Sequence, residues 1–247
     1  DAQKDVFKGI LAELKEANDI LAAENTIIKG DIIYGGDVTK WRKLVNAFRL
    51  KVLLLLSKQE ADADLNLKST FAQIVTSEPL FAGNEDDAKL VFLDQQGNRY
   101  PEFNSSGYGS GMYMDSTFIR RLQDREDPRL FIYCTQTKNA EDGGLAIDNF
   151  AAYEGGDPAA PYAEVNTKAA NGKTSKVNNR YHKDPTTEPL VLLGYAEQQL
   201  IIAEAIVRGW VAGNETDYYN QGVKSSFKFY ETYAKGLGSY VTAAKAD

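Results

Sequence analysis

The sequence predicts a mainly α-helical protein in which helix pairs flank a large irregular region with a few short strands. Two observations carry this expectation. Apolar residues recur at three- and four-residue steps over 5–23, 38–58, 63–76, 195–209 and 216–234, the spacing that gives a helix one apolar face. From 139 to 189 no such period is sustained, and Asn and Gly recur among isolated aromatics, so the segment 84–190 is expected to be irregular with a few short strands. An irregular segment of that length inside a compact protein is usually functional or disordered.

In the first helix Phe7, Ile10, Leu11, Leu14, Ala17 and Leu21 form one stripe, with Lys4, Lys8, Glu13, Lys15 and Glu16 elsewhere. The second begins after the turn Tyr34-Gly35-Gly36-Asp37. Two glycines tolerate positive φ, and the Asp37 carboxylate can accept from the open amides of a helix start. Trp41, Leu44, Val45, Phe48, Val52, Leu55 and Leu56 then share a face, with Arg42, Asn46 and Arg49 on another. Leu50, Leu53 and Leu54 fill further faces, so this helix is expected to be central and covered on nearly all sides. Trp41, Phe48, Leu55 and, from a later helix, Ile202 are the expected core residues. The third helix buries Leu67, Phe71, Ile74 and Val75 and stops before Glu78-Pro79.

After the acidic turn 84–87, residues 89–93 read as a strand ended by Gln96-Gly97-Asn98. A loop rich in Gly, Ser and aromatics covers 101–114, and Asp115 or Ser116 caps a helix over 117–123. Asp127-Pro128-Arg129 breaks the chain before a second strand, 130–135, in which Leu130, Ile132 and Cys134 alternate. Order returns at Leu190. Tyr195, Gln199, Ile202, Ala203 and Ile206 share a helical face ending at Gly209, and Asn214 or Thr216 starts a partner helix with Tyr219, Val223, Phe227 and Tyr230. Gly222 and Ser226 leave a shallow strip for close helix approach. Two helices joined by a short Gly-containing turn resemble a tetratricopeptide hairpin.

The 247 residues, 43% hydrophobic and 26% charged, have ordinary globular composition. They are expected to form one domain over 1–247, with a helical scaffold at 1–80 and 190–240 and an irregular ligand region at 84–189. A net charge of −7 without clustered Lys and Arg argues against nucleic acid as a partner. The single Cys134 excludes an internal disulfide and reads as a small buried hydrophobe. The apolar run 52–56 is far below the roughly 20 residues needed to cross a bilayer. No signal peptide opens the chain, and its abrupt start in helical pattern leads to the expectation of a fragment.

Motifs for chemistry mostly fail. Gly107, Gly109 and Gly111 lack the strand and helix of a dinucleotide fingerprint. Gly172-Lys173-Thr174 has Thr167 where a P-loop needs glycine. His182 is the only histidine, which excludes a two-His metalloprotease, and no Gly-x-Ser-x-Gly elbow supports a catalytic triad. Glu197 and Glu204 share a helix face as a glycosidase pair would, yet Glu204 and Arg208 stand at ion-pair spacing. The acidic turn 84–87 lacks EF-hand spacing. No cofactor, metal or catalytic residue is expected.

The positive signal is aromatic: 14 Tyr, 11 Phe and 2 Trp, with Tyr100, Phe103, Tyr108, Tyr113, Phe150, Tyr153, Tyr162 and Tyr181 in turn-rich segments. Flat rings beside polar side chains suit sugars, whose C–H faces pack on the ring while hydroxyls are hydrogen-bonded. More than half of these rings are expected to pin loops onto helices instead. By elimination of helix aromatics needed for packing, the expected ligand contacts are Tyr108, Tyr153, Tyr162 and Tyr181, helped by Asn149, Asn179 and Arg180.

Gly36-Asp37, Lys40-Trp41, Asn46, Arg49 and the Leu-rich run ending in Ser57-Lys58 resemble the signature of the SusD/RagB-like outer-membrane lipoproteins of Bacteroidetes. So do Tyr195-Ala196-Glu197, Ala203-Glu204-Ala205, Arg208-Gly209, Tyr218-Tyr219 and Gly222, and Asp127-Pro128-Arg129. The resemblance implies a tetratricopeptide-like scaffold beside an irregular ligand region. It also implies a non-enzymatic protein, exposed at the outer-membrane surface, that delivers glycans, or in some members peptides, to a SusC-like TonB-dependent transporter. The family's signal peptide and lipidated Cys are missing, so membrane contact is expected only through a lipid anchor absent from this fragment. The alternatives are a tetratricopeptide-like scaffold or peptide-binding protein and, from another class, a glycoside hydrolase.

Overall fold

A computed structural model describes residues 2–108 and 112–246 of the chain. It is mostly helical, as expected. The elements are α1 (Gln3–Ala23), α2 (Val38–Leu55), α3 (Leu67–Ser77), β1 (Ala88–Leu90), α4 (Ser116–Gln123), α5 (Leu130–Tyr133), α6 (Lys138–Asp142), α7 (Tyr162–Ala170), α8 (Arg180–Lys183), β2 (Leu190–Leu193), α9 (Tyr195–Val207) and α10 (Glu215–Tyr233). The chain divides into two compact units, one running to Leu90 and including Leu190–Ser226, the other formed by Val91–Pro189 with Phe227–Ala246. Among the described residues no helix is long and apolar enough to cross a membrane. Gly109 and Gly111 of the alternating glycine run lie outside the described residues.

In the first unit α2 is central, packed on α1, α3 and α9. Asp37 caps it, Oδ1 accepting from the backbone N–H groups of Thr39 (2.9 Å) and Lys40 (3.1 Å). The buried face is not the expected one. Phe48 is 41% and Leu55 68% exposed and Trp41 is half-buried, whereas Asn46, Ala47, Arg49, Leu50, Val52 and Leu53 are buried. Of the expected core residues Ile202 alone is fully inside, at 2% exposure.

The physical reason is a polar seam with α1. Asn46 Nδ2 donates to Asn18 Oδ1 (2.9 Å), Arg42 Nε donates to the same oxygen (2.9 Å), and Arg49 Nη1 donates to Asn46 Oδ1 (3.0 Å). Buried polar groups are tolerated when hydrogen-bonded, so Asn46 and Arg49 turn inward and carry Leu50 and Leu53, each four residues on, into the core. There Leu50 and Leu53 meet Phe71, Ile74, Ile201, Ile202 and Trp210. The tryptophan closes the set from beyond α9, its ring edge-on to Phe71 at 5.7 Å and its Nε1 donating to Glu60 Oε2 at 2.9 Å.

The turn before α2 is organised by Asp31. Its carboxylate accepts from the backbone N–H groups of Ile33 (2.8 Å), Tyr34 (3.1 Å) and Gly36 (2.8 Å) and from Trp41 Nε1 (2.9 Å). Gly36 has φ +94° and passes so close to Ile28 that a Cβ would lie 2.6 Å from its carbonyl oxygen, so this position requires glycine. Desolvation pushes the Asp31 pKa up, but the four hydrogen bonds outweigh it and hold the group below the ordinary carboxylate value. A carboxylate depressed on folding contributes stability above its unfolded pKa and loses it as pH falls through the folded value. Asp31→Asn should therefore remove part of the acid-side fall in stability, measured as a shallower decline of melting temperature with falling pH; an unchanged acid limb would refute this role.

β1 and β2 pair antiparallel, Ala88 opposite Leu193 and Leu90 opposite Leu190. The expected strand at 89–93 is thus shorter and one residue earlier, and its partner was not anticipated. Directly after β2, the backbone N–H of Tyr195 donates to Asp87 Oδ1 (2.7 Å), tying the start of α9 to the turn after α3.

In the second unit the expectation at Asp115 is met: its carboxylate accepts from Thr117 N at the start of α4. The strand expected at 130–135 is instead the single helical turn α5, with the Cys134 N–H bonded to the Leu130 carbonyl (3.1 Å). Leu130, Phe131 and Ile132 are all buried, so consecutive burial replaces alternation. Asp127 sets the turn by accepting from the Arg129 N–H (3.0 Å) through its side chain and from the Leu130 N–H (3.1 Å) through its carbonyl. Cys134 is 1% exposed, and burial pushes its thiol up to about 12, so it is an inert core residue. Phe131 lies among Phe150 (4.8 Å), Tyr153 (5.7 Å) and Tyr240 (6.0 Å). Residues 139–189, expected to lack regular structure, also form the short helices α6, α7 and α8.

Candidate functional site

The second unit holds an open groove of about 360 Å³, with Tyr113, Met114 and Asp115 on one wall and Asp157, Tyr162 and Val165 among the residues of the other. Backbone pairing fixes the walls. Met114 N–H donates to the Ser175 carbonyl (3.0 Å), Gly156 N–H to the Met114 carbonyl (2.8 Å), and Ser116 N–H to the Gly156 carbonyl (2.8 Å). Gly155 allows this approach, since a Cβ there would stand 2.3 Å from Ser116 N.

Tyr162, the first residue of α7, is 68% exposed. Across the groove Tyr113 is half-buried, its hydroxyl 3.3 Å from Asn166 Oδ1 and its ring 5.7 Å from Lys176 Nζ. Asp157 Oδ1 accepts from Ala159 N–H (2.9 Å), so its carboxylate is also held in place. Two rings of limited rotamer freedom, an apolar floor and fixed acceptors suit a ligand with both C–H faces and hydroxyl groups.

The residues singled out from sequence occupy three kinds of place. Tyr162 lies on the groove. Asn149 and Asn179 are exposed, the former accepting from Ala151 N–H (2.9 Å) at a short turn. Asn179 lines a smaller cavity of about 210 Å³ together with Tyr153, Cys134 and Gln136. Tyr108 is half-buried and stacks on His182 at 5.4 Å; burial and the nearby Lys183 hold that imidazole below its ordinary pKa.

Tyr153, Tyr181 and Arg180 are turned inward. Tyr153 is 3% exposed and its hydroxyl donates to the Ile147 carbonyl (2.8 Å). Arg180 is 9% exposed; Nη1 donates to Thr187 Oγ1 (3.0 Å), Nη2 to Tyr181 Oη (3.0 Å), Nε to the Ile132 carbonyl (3.3 Å), and the guanidinium pairs with Glu188. Burial raises the pKa of both phenols, which stay neutral. The groove's second ring, Tyr113, was among the loop aromatics but not among the selected contacts. The turn cluster Gly155-Gly156-Asp157-Pro158 is the signal that could have located the opposite wall.

The imagined carboxylate pair is held by ion pairs: Glu204 accepts from Arg208 Nε (2.8 Å) and Nη2 (2.6 Å), and Glu197 lies 2.6 Å from Lys51 Nζ. Among the described residues no cluster of His, Cys, Asp or Glu is arranged to hold a metal ion.

A family model described as starch-binding and associating with the outer membrane, SusD-like, matches residues 1–247. An outer-membrane protein of Bacteroides vulgatus, linked by its description to nutrient binding, is 52% identical with a TM-score of 0.96, and 100% of this chain covers 54% of it. A SusD homologue of Bacteroides fragilis is 49% identical with a TM-score of 0.88 and the same coverage. A chitin-binding protein is 27% identical with a TM-score of 0.75, over 98% of this chain and 52% of its own. The chain thus spans about half the length of these solved relatives. No curated protein matches it. A family match over the whole chain and two Bacteroides structures near half identity place this chain in the SusD-like family of binding proteins associated with the outer membrane.

Proposed function

We propose that this chain is part of a non-enzymatic protein that captures an oligosaccharide at the outer-membrane surface and delivers it to a SusC-like TonB-dependent transporter. In this reading 1–80 and 190–240 form the scaffold and 84–189 the ligand region of one domain, held to the membrane by a lipid anchor. The observation that carries the reading is the groove between Tyr113 and Tyr162, whose rings flank fixed carboxylates on a surface built by backbone pairing. Family membership and the chitin-binding relative support a glycan as the ligand. Asn149, Asn179 and Tyr108, which do not line this groove, are proposed as further ligand contacts, while Tyr153, Tyr181 and Arg180 hold their loops.

Tyr113→Ala and Tyr162→Ala should each weaken glycan retention about tenfold, as loss of an aromatic anchor does, with the melting temperature of Tyr162→Ala unchanged. Full retention by both variants would remove the groove from the site. Turnover of the glycan would favour a hydrolase. One observation favours a peptide ligand instead: Leu200, Val207 and Tyr219, at 41%, 74% and 57% exposure, line a groove of about 380 Å³ between α9 and α10. Helix-pair faces of this kind take peptides, and retention of peptides but no glycan would select that reading.

A further inference from the structure

We infer that the groove between Tyr113 and Tyr162 discriminates by charge, taking amine-bearing and neutral oligosaccharides and rejecting those that carry uronate groups. This rests on the proposal that the groove binds a glycan.

The groove's described lining has two ionisable carboxylates, Asp115 and Asp157, and no Lys or Arg. Of the residues outside the description, Gly109, Ser110 and Gly111, the ones nearest in sequence to Tyr113, add no side-chain charge. Both carboxylates are fixed by backbone N–H groups, Asp115 by Thr117 and Asp157 by Ala159, so neither can swing away from a bound anion without losing that bond. Their weights differ. Asp115 stands at the start of α4, where the helix end carries partial positive charge that offsets it; Asp157 caps no helix, and the start of α7 at Tyr162 offsets it only in part.

The cations nearby do not reverse the sign. Lys168 is 2.6 Å from Glu154 and donates to the Gly155 carbonyl (2.8 Å). Lys176 lies over the Tyr113 ring at 5.7 Å and opposes only one of the two negative charges. A sugar stacked between the rings and bearing a carboxylate would meet a net negative wall. One bearing an ammonium group would meet its counter-charges.

The test uses three oligosaccharides of equal length in mildly acidic, low-salt buffer: a glucosamine oligomer with protonated amines, its N-acetylated counterpart and an oligouronate. Wild-type affinity should fall in that order by about fivefold per step, the size of one charge pair near 4 Å in water, and the steps should shrink as salt screens them. Asp115→Asn with Asp157→Asn keeps the capping oxygens and removes both charges, so the affinity ratios should collapse. Equal binding of the oligouronate and the acetylated oligomer, or an order that survives in the double variant, overturns the inference while leaving glycan binding standing. Retention of none of the three overturns both together.

Discussion

Phe71→Ala is expected to lower the stability of the first unit by about 3–5 kcal/mol, the range for truncating a buried phenylalanine. The ring is fully buried in α3, edge-on to Trp210 and surrounded by residues of α2 and α9. Its loss leaves a cavity whose walls belong to three elements, so no single shift can close it. The contrast is Phe48→Ala in α2. At 41% exposure it removes much less buried surface, and the expected cost is under about 1 kcal/mol. Both tryptophans, Trp41 and Trp210, lie in this unit, so tryptophan fluorescence in a denaturant titration follows it directly. Equal shifts for the two variants would mean that α2 buries the face read from periodicity and not the face of Leu50 and Leu53.

That difference shows what periodicity can carry. Asp37 and Asp115 were legible as caps because a cap acts on amides two and three residues away, inside the same short stretch. The length of α2 was legible for the same reason. Its buried face was not, because apolar residues surround the helix and the choice between faces falls to Asn46 and Arg49, whose partner network runs through Asn18, 28 residues from Asn46. A polar residue looks like surface until its partner is known. Leu130 to Cys134 failed differently: four or five apolar residues fit a strand or one helical turn equally well, and the hydrogen bonds of Asp127 decided for the turn.

The same limit governs the groove. Tyr153 and Tyr162 both sit beside small or turn-forming residues, yet one packs against Phe131 and the other is 68% exposed. Composition found the class of residue. Tertiary contacts chose its direction.

Arg180 turns that choice into an expected result of comparable size. Arg180→Met should destabilise the second unit by about 3–5 kcal/mol, because removing one partner of a buried pair leaves the other charge unmatched. The guanidinium side chain is 7% exposed and that of Glu188 18%, so water can restore little of the lost solvation. The Ile132 carbonyl and the Thr187 hydroxyl also lose their donors, which adds the cost of unsatisfied buried groups. Arg180→Met with Glu188→Leu should recover a large part of the loss, since an apolar pair of similar volume carries no unpaired charge. Thermal unfolding followed by tyrosine circular dichroism measures both variants, and glycan retention below the transition separates stability from binding. If Arg180→Met leaves the melting temperature unchanged and weakens retention, the guanidinium contacts the ligand, and its bonds to Thr187, Tyr181 and Glu188 give way when the glycan binds.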